Sequence, residues 1–112
     1  MVVSEDAVLN QLFRALADGT RRDILARALV EQESVSELAS RYHMSFAAVQ
    51  KHVAVLERAG LVTKRAVGRE QRVCANPARL QRASRLLAHF EEIWRERSAQ
   101  LDQLLAEDPK GS

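Results

Sequence analysis

With 112 residues, 46% of them apolar and 29% charged, the chain is too short for two independent cores and too apolar to stay disordered, which excludes a two-domain enzyme and an unfolded polyelectrolyte alike. Aromatic residues make up only 4% and there are two prolines, while Ala, Leu, Arg, Glu and Gln, which lose little rotamer freedom in a helix, dominate the rest, so a mostly helical fold is expected. The single cysteine, Cys74, cannot form an intramolecular disulfide or a multi-thiolate metal site; no basic segment with an apolar signal core opens the chain, and no apolar run approaches the ~20 residues of a membrane span. A cytoplasmic protein with no membrane partner is expected.

The net charge of +2 understates a local imbalance. Residues 1–60 carry seven basic and eight acidic side chains, residues 61–75 carry four and one, and residues 76–112 carry six of each. A patch of +3 in an otherwise balanced chain is the pattern of a surface that meets phosphate; charges that keep a sheet edge from pairing would give the same count.

In chain order, Val8, Leu9, Leu12, Phe13 and Leu16 recur at helical spacing, predicting a first helix over about Glu5 to Ala17. Asp18-Gly19-Thr20 interrupts it, and Ile24, Leu25, Ala28 and Leu29 form the apolar face of a second. Arg21 and Arg22 then fall in a first turn, where the helix dipole disfavours cations; Asp18 or Asp23 is the expected compensation, a phosphate the sharper alternative. Ser34-Val35-Ser36-Glu37 has the spacing of a capping box and opens a third helix. His43-Met44-Ser45 leads into a fourth, Phe46 to Ala59, with Ser45 as its cap and Gly60 as its end. From Val62 to Ala75 the pattern turns β-branched and roughly alternating around Gly68, a two-stranded hairpin turning near Val67-Gly68-Arg69. Asn76-Pro77 starts a last helix that runs to about Glu107.

Two helices joined by a short turn and followed by a basic hairpin make a winged helix-turn-helix: mainly α with a small β-hairpin, five helices, the wing between the fourth and fifth. One domain is expected over residues 1–107, with a disordered tail at 108–112.

In the fourth helix Val49, Val53 and Leu56 share one stripe and face the core, leaving Ala47, Lys51, Ala54 and Arg58 opposite, with Gln50 on the flank. A helix of this kind enters a major groove by its first turns. Gln50 can pair with adenine, Lys51 with guanine or phosphate, and Phe46 or Ala47 can touch a thymine methyl. His52 borders the apolar stripe, where a structural role weighs at least as much as a DNA contact. Arg69 at the hairpin tip and Lys64 or Arg65 along its arm can reach backbone phosphate. The candidate DNA-binding set is Ser45, Phe46, Ala47, Gln50, Lys51, His52, Arg58, Lys64, Arg65 and Arg69.

These stretches resemble the ArsR family of bacterial winged-helix repressors: Phe13 to Leu25 (FRALADGTRRDIL), Ser45 to Val53 (SFAAVQKHV), Leu56 to Val62 (LERAGLV) and the hairpin tip Gly68-Arg69. The resemblance, which spans Leu12 to about Leu105, implies a homodimer that represses transcription from a palindromic operator, often at its own promoter. Gly19 stands where the family often has proline, and Phe46-Ala47 replace a polar residue and proline, so no operator sequence carries over. The cysteine pair of metal-sensing members has no counterpart in Val35 to Ala39. His89 and Glu92 match one of the two ligand pairs of members with a metal site on the last helix, but Asn76, Pro77 and Arg79 supply nothing for the other. The expectation is therefore no cofactor, with a metal at His89 and Glu92 the weaker alternative, and the effector is not specified by the sequence.

A last helix of this length exceeds what a small domain can cover. Leu80, Leu87, Trp94 and Leu101 are spaced by seven, with Ala83, Phe90 and Leu105 between them, the seam of a helix packed along another. The expected self-association surface is Leu9, Leu12, Leu80, Leu87, Phe90, Trp94, Leu101 and Leu105. A dimeric regulator of transcription that binds double-stranded DNA is the leading reading. A dimeric protein-interaction module, such as an antitoxin or adaptor without DNA readout, is the alternative. An enzyme is not expected: there is no glycine-rich phosphate loop or nucleophile elbow, and His43, His52 and His89 fall on separate elements. Cys74, near the wing, is expected to be a small apolar strand residue, with a redox switch as the alternative.

Overall fold

The computed structural model describes residues 4–106, so the expected tail at 108–112 lies outside the described residues. Helix α1 spans Glu5–Leu16, α2 Gly19–Val30, α3 Val35–Ala39 and α4 Phe46–Arg58; strands β1 (Val62–Val67) and β2 (Glu70–Ala75) form an antiparallel hairpin, and α5 runs over Pro77–Ala106. The first four helices each begin where a short polar side chain satisfies an otherwise unpaired amide: Ser4 accepts from the Ala7 N–H, Asp18 from Arg21, Ser34 from Glu37 and Ser45 from Ala48. At Ser34 the capping box is complete, since the Glu37 carboxylate also accepts from the Ser34 N–H.

The end of α4 is equally well specified. Gly60 has φ of 78°, in the left-handed region that glycine enters without a Cβ penalty. This lets the Leu61 N–H reach the Leu56 carbonyl at 3.0 Å and the Gly60 N–H the Glu57 carbonyl at 2.9 Å, the paired bonds of a Schellman ending. Leu56 and Leu61 are both fully buried, as a cap of this kind requires.

The core lies between α1, α2, α4 and the base of the hairpin: Leu12, Ile24, Leu38, Val49, Val53, Leu56, Leu61, Val62 and Val73 are its largest fully buried side chains. Each contributes on the order of 1.5–3 kcal/mol through its removal from water. The hairpin turns at Gly68 and Arg69, pairs Val67 with Glu70 and Val62 with Ala75, and is held at its base by the Asn76 N–H on the Leu61 carbonyl. On its other edge the Val73 N–H donates to the Glu33 carbonyl at 2.9 Å, and Ser34 forms a bridge with Arg72. The loop before α3 thus adds a short third rung to the wing, and it fixes the hairpin to the helix-turn-helix.

Several local expectations change. Helix α3 ends at Ala39, and Arg41 and Tyr42 continue only as tight turns back to Leu38 and Ala39, so six residues, 40–45, separate it from α4. The Asn76 side chain donates to the Gly60 carbonyl at 2.9 Å and ties the end of α4 to the start of α5. Leu29 lies on the outside of α2 and is about half exposed. Leu12 is completely buried within its own chain, so it supports α1 from beneath and has no surface to offer a second copy.

Helix α5 packs against α1 through its first turns, where Ala83 is buried, Leu80 is half-buried and Arg82 pairs with Glu5 at 2.8 Å. Beyond these turns it leaves the domain. At about 1.5 Å per residue its 30 residues span about 45 Å, and the molecule measures 77 × 37 × 20 Å with a radius of gyration of 20.5 Å, against roughly 13 Å for a compact chain of this length.

Candidate nucleic-acid interface

The first turns of α4 and the wing converge on one open cleft. Phe46 and Gln50 from α4, Lys64, Arg69, Glu70 and Gln71 from the hairpin, and Ser34, Val35 and Ser36 from the start of α3 line a volume of about 210 Å³. Four of the ten candidate DNA-binding residues therefore meet at one place. Beside it, Ala47 and Lys51 lie exposed on the outer face of α4 while Val49, Val53 and Leu56 hold the opposite face in the core. Phe46 keeps 46% of its surface exposed, a large apolar ring displayed at the entrance of a helix. Ser45 spends its hydroxyl on the Ala48 N–H at 3.1 Å, fixing where α4 begins.

The alternation of the hairpin separates the two candidates on its arm. Lys64 is level with Val73 on the face turned toward α4 and lies 3.9 Å from the Glu57 carboxylate, three-quarters shielded. Arg65 is on the other face, opposite Arg72. Arg72 is itself engaged with Glu70 at 3.4 Å and with the Gln32 carbonyl at 3.3 Å. Arg69, at the tip, is exposed.

Two more members of the set stand apart from the cleft. Arg58 is exposed at the far end of α4, where it shares a shallow depression with Gln11 and Arg14 of α1. His52 is half-buried on the flank of α4 that meets α2, with Nδ1 3.4 Å from an Arg21 guanidinium nitrogen and 4.0 Å from the Asp18 carboxylate.

Carboxylates around the helix-turn-helix act as struts for it. The Arg21 amide, first, and the nearby His52 hold the Asp18 carboxyl below its ordinary range; the Tyr42 hydroxyl and then Arg27 do the same for Asp23, and the Ser34 amide for Glu37. Tyr42, which donates to Asp23 and carries Arg27 over its ring at 5.9 Å, is pushed up to about 12 by burial and by that carboxylate. Glu33 is buried and held by Arg41 at 2.6 Å. The pairings of Tyr42 with Asp23 and of Arg41 with Glu33 are not legible in the sequence, because each joins residues on different elements or across a loop.

Comparison with known proteins identifies the scaffold. The family model described as "Bacterial regulatory protein, arsR family" matches residues 18–64, from the start of α2 into β1. The crystal structure of an ArsR family transcriptional regulator is 31% identical, with a TM-score of 0.76 over 84% of this chain and 97% of that one. An ArsR-like transcriptional regulator from Rhodococcus sp. RHA1 is 37% identical, with a TM-score of 0.77 over 91% and 96%. The chain belongs to the ArsR family. A homodimeric winged helix-turn-helix DNA-binding domain from Mycobacterium bovis shares the fold at 23% identity and a TM-score of 0.60, over 82% of this chain and 92% of that one. None of the curated proteins compared with the chain matches it. The ArsR relatives are regulators of transcription, and this ArsR chain carries the same winged helix-turn-helix with five helices.

Along α5 the expected seam is on the surface. Leu87, Phe90, Trp94, Leu101 and Leu105 are all exposed, Trp94 by 66%, and Ile93 and Leu104, absent from the expected set, share the stripe. Their omission follows from reading a strict seven-residue repeat; at 100° per residue both fall within the same broad face. Leu9, on α1, is half-buried against the core. His89 and Glu92 lie one turn apart on exposed α5 surface. Among the described residues no group of three or more His, Cys, Asp or Glu side chains could hold a metal ion, and no helix is long and apolar enough to cross a membrane. Cys74 is half-buried on β2 opposite Thr63.

Proposed function

We propose that this ArsR-family chain is a homodimeric repressor that binds a palindromic operator, its own promoter among the targets. The observation that carries the reading is the convergence of Phe46, Gln50, Lys64 and Arg69 on one cleft beside the free outer face of α4. Gln50 and Lys51 address base edges, Phe46 and Ala47 address thymine methyls, and Arg69, with Lys64 on the same cleft, holds phosphate.

Self-association rests on the apolar stripe of α5, exposed from Leu87 to Leu105. A patch of this size on an isolated chain is the mark of an interface. A second copy seated there gives two recognition helices related by a two-fold axis, which suits half-sites one DNA turn apart, ~34 Å. The homodimeric neighbour from Mycobacterium bovis has the same fold. The site holds no cofactor in this reading, and an effector would act through the dimer.

Mobility shift on DNA upstream of the gene, with the wild type, Lys51→Ala and Arg69→Ala, tests the reading. The wild type shifts the fragment, and with ~6–10 phosphate contacts its affinity falls by roughly 10³ to 10⁵ between about 50 and 200 mM salt. Both variants bind less tightly, and Arg69→Ala lowers the salt slope by about one for each phosphate that its side chain neutralises. A protein-interaction module would tolerate both changes, and such tolerance contradicts the proposal.

A further inference from the structure

The cations in the first turn of α2 have an unexpected counterpart. The Arg21 Nε donates to the Ala15 carbonyl at 2.8 Å and its Nη2 to the Arg14 carbonyl at 2.9 Å, while Arg22 Nη1 donates to the Leu16 carbonyl at 2.8 Å. These are last-turn carbonyls of α1, at the negative end of its dipole; that of Arg14 also accepts from the Ala17 N–H at 3.2 Å. The short Ala17-Asp18 link brings that end beside the start of α2, so the guanidiniums that are misplaced on their own helix are well placed on the previous one. Neither Asp18 nor Asp23 neutralises them directly: Asp18 takes the Arg21 backbone N–H at 3.1 Å, and Asp23 pairs with Arg27.

The third arm of the Arg21 fork points elsewhere. Nη1 meets His52 Nδ1 at 3.4 Å, and His52 belongs to α4. A guanidinium never deprotonates and only donates, so a hydrogen bond at this contact requires Nδ1 as the acceptor. One side chain thus joins α1, which packs on α5, to the flank of α4 opposite the wing. We infer that Arg21 is a positioning residue for the recognition helix, holding α4 at a fixed angle to the α1–α5 layer that sets the spacing of the two heads. The inference rests on the DNA-binding reading. Lysine cannot replace it, since a single ammonium cannot meet two carbonyls and an imidazole at once. Arg21 and Asp18, both at the start of α2, are the charged groups that meet the ring, and α1 contributes backbone carbonyls to the same junction.

The test uses the full chain and a fluorescent DNA fragment from upstream of the gene, at a temperature where circular dichroism finds every variant folded. Arg21→Lys and His52→Leu weaken binding about tenfold, as expected when one charge-assisted hydrogen bond is removed, with the salt slope unchanged because every phosphate is still held. His52→Gln, whose side-chain carbonyl can still accept from Arg21, stays within about threefold. Nitrogen-15 spectra of the imidazole, recorded without DNA, report the Nε2–H tautomer in the wild type and its loss in Arg21→Gln. If the wild type binds and Arg21→Lys binds equally well, or lowers the salt slope by about one, the positioning role is overturned alone. If the wild type ignores DNA while the tautomer is present, the functional reading fails and this role fails with it.

Discussion

The winged-helix head buries most of its large aliphatic side chains, whereas the outer half of α5 displays them. In the head Leu12, Ile24, Leu38 and Leu56 have no surface left; on α5 Leu87, Phe90, Trp94 and Leu104 are half or more exposed. Both patterns come from the same helical periodicity, and the difference is what lies opposite. The head has three other helices and a hairpin to pack on, and the far turns of α5 have nothing from their own chain. One region is a self-sufficient fold and the other is half of an interface.

Charging the stripe gives the largest expected effect. Trp94→Glu combined with Leu101→Glu separates the copies in sedimentation and, by removing the second head, lowers DNA affinity on the order of 10² to 10⁴-fold, with the melting of the head little changed. A double variant that remains dimeric would erase the contrast between the two regions. Within the head, Leu56→Ala leaves a cavity and costs about 2–5 kcal/mol in denaturant unfolding, whereas Val30→Ala, at a position 88% exposed, stays within about 0.5 kcal/mol. A cap is worth less: Ser45→Ala frees the Ala48 amide and costs about 1 kcal/mol, read as a lower denaturation midpoint.

Acid gives the mildest change. The Asp18, Asp23 and Glu37 carboxyls are all held below their ordinary values by hydrogen bonds and cations of the folded state. Their contribution is complete above those ordinary values and is lost as pH falls below them through the depressed ones. A melting temperature flat from neutral pH to about pH 5, then falling, is expected; the fall should shrink in Asp23→Asn.

What could be read from the sequence is what short-range chemistry decides. The capping box at Ser34, the cap at Ser45, the glycine ending at Gly60 and the turn at Gly68 each depend on a few neighbouring residues, and the element order follows from them. The core stripe of α4 and the exposed stripe of α5 were visible as periodicity. What remained hidden is set by pairings between distant positions: the burial of Leu12 under α2 and α4, the bridge from Ser34 to Arg72, the buried Glu33 with Arg41, and the use of Arg21 and Arg22 on the helix before their own. Among the candidate DNA-binding residues, spacing placed Phe46, Gln50 and Lys51 on one end of α4, but it could not tell that Lys64 faces the cleft and Arg65 the opposite side.

Hydroxyl-radical footprinting of the wild-type chain on its upstream DNA tests most directly whether paired heads read duplex DNA. Two protected half-sites of inverted sequence, centred about 10–10.5 base pairs or a multiple apart, are predicted. A single unpaired footprint, or none at concentrations where the chain is dimeric, would contradict it.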